Sequence, residues 1–515
     1  MNSNKIIYNT LIVYIQLIIS TFISLFSIRF VLQALGEEDY GIYMLVAGTV
    51  SMLNVLSSTM SNTSMRFMSH SLGKNELLIS LKTFNSTLFI HYCLAFIVIF
   101  ILEIGGWIMF KYFLNIPEIK LLDARIVYQI MIITTIVTIV SIPYDAIINS
   151  HENLFFLSFV TIIQNIVQLC VALALVFYNT ICSKLILYSF SLMIIQVILR
   201  FIKYYYAKRK YTECKINFKK YIEKRKLKEI LSFTGWDFIR SLSSLCSTQL
   251  RGILINMFFG VRLNAAEGIS KRINTQLNLV STSITQAITP QMNKSEGGGD
   301  RQRMIDLMLA GVKFTTFMYC LLAIPLLLEI PYILNIWLKT VPEFTALFCQ
   351  MCILILMLNK FTWQITNAIR AVGQIRDIQI VGSIISFAGI VIGYFIYKNG
   401  AGPLAIYLIE LFLGIIYTII NLYYGKKILN LNLFRYFKRA TLPVVLPLFF
   451  SLGIVLIIHC TLNQGLLRTI LVFILYIIFD FIFFWFLGMN NTEHQKVVVL
   501  IKKTISSVNI ANVMH

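Results

Sequence analysis

The stretch GISKRINTQLNLVSTSITQAITP, residues 268–290, is long enough to cross a bilayer, yet it holds adjacent cations, Lys271 and Arg272, and about half its side chains are polar. On a helix, residues three and four apart share a face. Counting from Glu267, that rule selects Lys271, Asn274, Asn278, Ser281 and Thr285. The opposite side reads Ile269, Ile273, Leu277, Val280, Ile284 and Ile288. Such a polar side suits a water-filled cavity or another polar helix, not acyl chains. Upstream, Asp237, Arg240, Ser244, Ser247 and Arg251 follow spacings of 3, 4, 3 and 4. Arg251 lies ~16 Å deeper along the axis than Arg240. Asp237 is within reach of Arg240, but no acid on that helix neutralises Arg251. An arginine near mid-membrane costs about 2.5–3.5 kcal/mol on insertion scales.

Weaker stripes occur elsewhere. Ser51, Asn54, Ser58 and Asn62 end at Arg66. Gln16, Ser20, Ser24 and Ser27 precede Arg29, which points away from those serines and is placed to snorkel outward. Lys360 is a further cation in an apolar stretch. Arginine grips phosphate through two parallel bonds and lysine acts as a point charge. Asn, Gln, Ser and Thr both donate and accept, which suits hydroxyl-rich ligands. A phosphate joined to a sugar fits both sets. Two plainer readings compete: Ser, Thr and Asn also join membrane helices to one another, and Lys271 and Arg272 lie ~10 Å from the outer end of their span, near enough to reach headgroups. Five acids, Glu103, Asp145, Glu329, Glu410 and Asp480, also fall in apolar stretches. Each fits an ion-pair partner or a proton site, and the sequence leaves the two open.

The elements that carry these groups are membrane spans. The chain of 515 residues is 58% hydrophobic and 13% charged, with mean hydropathy +0.78. Soluble proteins are roughly a quarter charged. Apolar runs long enough for a span recur fourteen times, at 6–32, 41–63, 84–110, 124–147, 154–178, 184–206, 232–259, 264–289, 312–337, 344–369, 378–397, 403–424, 441–461 and 466–488. Their length and lack of alternation favour helices over a barrel. The expected fold is therefore an all-α polytopic membrane protein.

The formal charge of +21 tempts a nucleic-acid reading, but its distribution opposes one. With the N-terminus inside, thirty lysines and arginines fall on cytoplasmic segments against nine on outer ones, and twelve of the thirty lie in residues 200–230. That bias is the positive-inside rule and places both termini in the cytoplasm. The basic loop also fits anionic lipid.

The organisation reads 6 + 6 + 2. Residues 1–206 form an N-lobe of six helices and 207–231 a basic cytoplasmic linker. Residues 232–424 form a C-lobe, 425–440 a second basic loop, 441–488 two further helices and 489–515 a cytoplasmic tail. LQALGEEDYGI (32–42) and MFFGVRLNAAEGI (257–269) hold equivalent places between spans one and two and spans seven and eight. With the 6 + 6 count they suggest duplicated lobes, a plan under which transporters set their site between repeats. The chain has no G-x-x-x-x-G-K-[ST] loop, no H-E-x-x-H and no G-x-S-x-G. Its single C-x-x-C, Cys349 to Cys352, lies in an apolar span and reads as buried thiols. No cofactor is expected. Proton or sodium coupling is open, and an inside-negative potential would itself drive an anion outward by ~2.3 kcal/mol per charge per 100 mV.

RFVLQALGEEDYGIYMLVAGTVSMLNVL with MRFMSHSLGKNE, and ITPQMNKSEGGGDRQRM further on, resemble bacterial polysaccharide flippases of the Wzx type. These share a superfamily with MATE exporters and lipid II flippases. The resemblance implies a V-shaped pair of six-helix lobes in the inner membrane, working by alternating access. It implies a substrate of undecaprenyl-diphosphate-linked oligosaccharide, moved from the cytoplasmic to the periplasmic leaflet for O-antigen or capsule, with other polysaccharide-assembly proteins as partners. It also implies a cationic cavity, carried over to Arg251, Lys271 and Arg272, then to Arg29, Arg66, Arg240 and Lys360. The polar groups around it would be Asn274, Asn278, Ser281, Thr285, Ser244, Ser247 and Asn54. The rivals are a lipid II flippase, a MATE-like exporter of cations or drugs, which should rely on carboxylates, and a glycan polymerase or ligase, which should carry a large outer loop.

Overall fold

The computed structural model of the chain describes residues 3–51, 54–112, 118–177, 183–337, 341–491 and 493–495. Most of the tail expected at 489–515 lies outside them. The described residues are helical almost throughout. A helix satisfies its backbone groups internally, as hydrocarbon demands. Ten helices among the described residues are long and apolar enough to cross a membrane. The other four expected spans fall in α1 (Ser3–Ser51), α2 (Asn54–Gly73) and α8 (Lys224–Gly297), the helices with the polar stripes. The chain is thus an all-α polytopic membrane protein of about fourteen helices.

Two long stretches are broken by glycine. α1 is interrupted at Gly36 (φ 77, ψ 173) and α8 at Gly260 (φ 81, ψ −175). Both sit in a backbone region that is essentially glycine-only. The two breaks lie 224 positions apart (36 to 260), and the same offset joins the ends of α2 and α8 (Gly73 to Gly297). It also joins two left-handed turn residues (Asn75, φ 55, to Gly299, φ 80) and the first residues of α3 (Leu77–Tyr112) and α9 (Arg301–Trp337). α4 (Glu118–Ser150), α5 (Leu154–Phe177) and α6 (Lys184–Lys210) correspond in order to α10 (Thr345–Val372), α11 (Arg376–Lys398) and α12 (Ala405–Leu429). The two stretches thus follow the same order of helices.

The chain divides into two compact units. One comprises residues 11–238 and 293–300; the other comprises 1–10, 239–292 and 301–515. In the first unit, Val31, Val46, Val98, Val127 and Leu185 belong to one buried apolar cluster, and Phe84, Leu88, Tyr144 and Ile147 to another. The basic stretch expected to be a linker at 207–231 packs on this unit. It holds the short α7 (Phe218–Tyr221), whose Phe218 ring meets Phe89 and Tyr92 edge-on. Asn85 of α3 donates to the Lys215 carbonyl at 2.9 Å and accepts from the Asn217 amide at 2.9 Å. The boundary between units falls inside α8 rather than at this segment.

The second unit adds α13 (Leu433–Tyr436) and the hairpin of α14 (Leu442–Thr461) and α15 (Leu466–Phe483). The expected basic loop at 425–440 is largely helical, taken up by the end of α12, by α13 and by a turn at Phe437–Thr441. Arg435 pairs with Asp306 at 2.6 Å, and the Tyr436 hydroxyl donates to the Phe361 carbonyl at 2.7 Å. Leu277 of α8, Phe317, Tyr319 and Cys320 of α9, Ile353 of α10 and Val455 and Tyr476 of the hairpin share one buried cluster.

Candidate functional site

Past Gly260, α8 is three-sided. Leu277, Ile284 and Ile288 are buried, and Ile269 and Ile273 pack on the core beside α9. The expected polar side turns inward as well. Asn278 accepts from the Lys360 ammonium of α10 at 2.5 Å, and Thr285 accepts from Gln364 at 2.9 Å. Ser281 is buried and donates to the Asn278 carbonyl. The Asn274 carbonyl oxygen is buried without a hydrogen-bond partner among the described residues. A third side, with Arg272, Thr275, Gln276 and Gln286, is exposed. Before the break, Ser244, Thr248 and Gln249 are exposed too.

The polar interior therefore lies between two helices. Lys360, Gln364 and Asn367 recur on α10 at spacings of 4 and 3. Asn367 donates to Gln364 at 3.1 Å, and Asn421 of α12 donates to Thr362 at 3.2 Å. Lys360 is 5% exposed and has no carboxylate partner among the described residues. Tyr319 and Trp363 present ring faces to it at 5.6 and 6.0 Å. Gln364, Asn367 and Asn421 were absent from the expected set. The spacing rule applied from Lys360 would have found the first two.

Arg251 is placed differently. Its Nε donates to Glu267 at 2.8 Å and its Nη1 to Glu410 of α12, and its guanidinium lies 5.0 Å from the Tyr407 ring. Glu267 also accepts from the Tyr407 hydroxyl and pairs with Lys271 at 3.1 Å. Lys271 donates in addition to the Thr248 carbonyl at 2.8 Å. Two cations and two carboxylates make this cluster neutral. The absence of an acid on the same helix did not leave Arg251 unneutralised, because its acids come from the second half of α8 and from α12. Arg272, next in sequence, points to the exposed side and has no carboxylate partner among the described residues.

The remaining expected residues are scattered. Arg240 donates to Ser386 at 2.9 Å and packs over Gly382 of α11, where a Cβ would come within 2.7 Å of its Nε. Ser247 donates to a carbonyl, with Ser243 at 2.8 Å and Ser386 at 3.0 Å. Arg66, in the first unit, is buried with Phe67 and Phe233 at 4.5 and 4.9 Å from its guanidinium. The side chains of Arg29 and Asn54 lie outside the described residues. Cys349 and Cys352 are buried free thiols. Among the described residues no three His, Cys, Asp or Glu side chains are grouped to hold a metal ion.

The model of a family described as polysaccharide biosynthesis protein matches residues 4–296. No curated protein matches the chain. Solved structures share its fold. An outward-facing multidrug resistance MATE family transporter of the MOP superfamily is 12% identical with TM-score 0.71, covering 84% of this chain and 97% of its own. A MATE protein in its bent conformation is 13% identical with TM-score 0.72, over 83% and 95%. A MOP superfamily transporter from Pyrococcus furiosus Vc1 (DSM3638), described as having a binding pocket of reversed polarity that suggests a different function, is 11% identical with TM-score 0.70, over 83% and 96%. The chain belongs to the Wzx-like polysaccharide biosynthesis protein family and has the fold of MOP-superfamily transporters.

Proposed function

We propose that the protein is a flippase that moves undecaprenyl-diphosphate-linked oligosaccharide from the cytoplasmic to the periplasmic leaflet of the inner membrane by alternating access. Family membership supports a polysaccharide precursor as cargo. The observation that carries the anion-binding part is Arg272, an exposed guanidinium on a polar helix side with no carboxylate partner among the described residues. An exposed charge beside lipid is costly, whereas one beside a hydrated diphosphate is not. Thr275, Gln276, Gln286, Thr248 and Ser244 share the exposed sides of α8 and supply hydroxyl and amide groups for sugars. Lys360 adds positive potential behind Asn278.

The test is complementation of a strain lacking its surface-polysaccharide flippase, with protein level measured alongside. Arg272→Gln should cut surface glycan about tenfold or more, the loss expected for one charge-assisted contact of roughly 1.5–3 kcal/mol. Arg272→Lys should restore part of it, keeping charge but not the two-pronged grip. Full glycan from the glutamine form removes Arg272 from the mechanism. One observation favours a second reading, export of a cationic compound: Glu267 and Glu410 converge on Arg251, and carboxylates are what a cation exporter would use. Extrusion of a cationic dye from vesicles, lost in Glu410→Gln, would support that reading over the first.

A further inference from the structure

The structure separates the five membrane acids that the sequence leaves equivalent. Asp145 pairs with Arg200 and with Lys203 at 3.0 Å. Glu329 pairs with Arg468 at 3.0 Å, Glu410 pairs with Arg251, and Glu103 accepts from Gln129 at 3.2 Å. Asp480 of α15 alone has no basic or amide partner among the described residues. It is 0% exposed, Ser451 of α14 donates to its Oδ1 at 3.3 Å, and its Oδ2 has no hydrogen-bond partner.

The groups around it are neutral. Tyr476, one turn earlier on α15, is buried with its hydroxyl unpartnered. Cys320 is the titratable neighbour on α9. The cation that neighbours Cys320, Lys360 of α10, is bonded to Asn278. An ionised carboxylate held in oil by one weak neutral bond costs several kcal/mol. Protonation removes the charge and adds an O–H donor.

We propose that Asp480 is a proton-binding site whose carboxyl takes a proton from water when α15 loosens and holds it, neutral, in the packed arrangement seen here. A route is built into α9. Lys313, Thr316 and Cys320 follow at spacings of 3 and 4 on one face, and the Thr316 hydroxyl is also buried without a partner. The line runs about 10 Å from Lys313 to Cys320. It starts at the Lys313–Glu493 pair, where the Glu493 side chain is 20% exposed. Proton binding stands by itself; its exchange during a cycle rests on the transport reading.

The test pairs infrared difference spectroscopy of the reconstituted protein with transport under an imposed pH gradient. A protonated-carboxyl C=O band should be present at neutral pH in the wild type and missing in D480N, which mimics the neutral form and should accumulate normally. Transport by D480N should lose its response to the gradient. Absence of the band, or a D480N variant that responds like the wild type, overturns the proposal. If D480N fails to accumulate, Asp480→Glu is expected to shift the band, and an unchanged spectrum overturns the assignment. A wild type that carries the band but moves no lipid-linked glycan sinks the transport reading and leaves the proton site standing.

Discussion

At the scale of single residues, the cations of the second unit differ in what surrounds them. Arg251 holds two glutamates, so its removal leaves Glu267 buried without its main counter-charge. Breaking a buried pair from one side costs about 3–5 kcal/mol. Arg251→Ala should therefore lower the amount of folded protein, read by fluorescence size exclusion after mild heating. The double variant Arg251→Leu with Glu267→Gln should recover much of it. Loss of transport at normal protein level from Arg251→Ala would instead place Arg251 in substrate binding. Lys360 is the reverse case, a buried ammonium with an amide partner and no acid among the described residues. Lys360→Met removes that charge and should be as stable as the wild type or more so, while transport falls. Asn278→Leu strands the ammonium and should cost about 1–3 kcal/mol. A Lys360→Met protein that unfolds more readily than Asn278→Leu would make the lysine structural.

Elements were more legible in the sequence than their surroundings. The spacing rule found the polar side of α8 because helical period is a property of one segment. What that side meets depends on α10, 82 and 79 residues later, so Asn278 and Thr285 gave no sign of being bonded to Lys360 and Gln364. The two glycine-bearing links were visible as a faint repeat, and Gly36 and Gly260 interrupt their helices with the same backbone conformation. Gly260→Ala should cost about 1–3 kcal/mol, since alanine is strained at that backbone position. Gly235 is helical with open space around its would-be Cβ, so Gly235→Ala should be neutral or stabilising by about 0.5–1 kcal/mol. Gly297 tests a different constraint. A Cβ there would sit 2.0 Å from the His70 carbonyl oxygen, and one at Gly73 would sit 2.0 Å from the Lys294 carbonyl oxygen. The two sequence motifs that carry the family resemblance thus cross backbone to backbone, and Gly297→Ala should separate them. A melting temperature for Gly297→Ala equal to that of Gly235→Ala would show that the crossing yields without cost.

At the scale of the whole molecule, the open question of cohesion concerns the α14–α15 hairpin. Lipid tails are as apolar as leucine, so burial of Val455 or Val472 against α9 gains little over burial in lipid. Close packing and polar contacts must hold the hairpin instead, and polar contacts sit at two points along α9, Glu329 and Lys313. At one point Glu329, 0% exposed, accepts from Arg468 and Thr469 at 3.0 Å each and meets His459 at 2.9 Å. At the other, Lys313 donates to Glu493 and to the Gly488 carbonyl at 3.2 Å. Sixteen residues separate them, ~24 Å of helix. Glu329→Gln leaves Arg468 partly buried beside a neutral amide. Lys313→Met leaves Glu493, whose side chain is 20% exposed where that of Glu329 is 0%. The first should therefore cost more than the second. At that distance the two losses should add to within about 0.5 kcal/mol. The measurement is thermal unfolding of both single variants and the double in one detergent. Additive losses mean that each point grips by itself. A double variant no weaker than the worse single means that the hairpin peels away as one piece once either point is released. Asp480, midway along the same contact, would then be hydrated by the loss of either clasp, and its carboxyl band should weaken in both single variants.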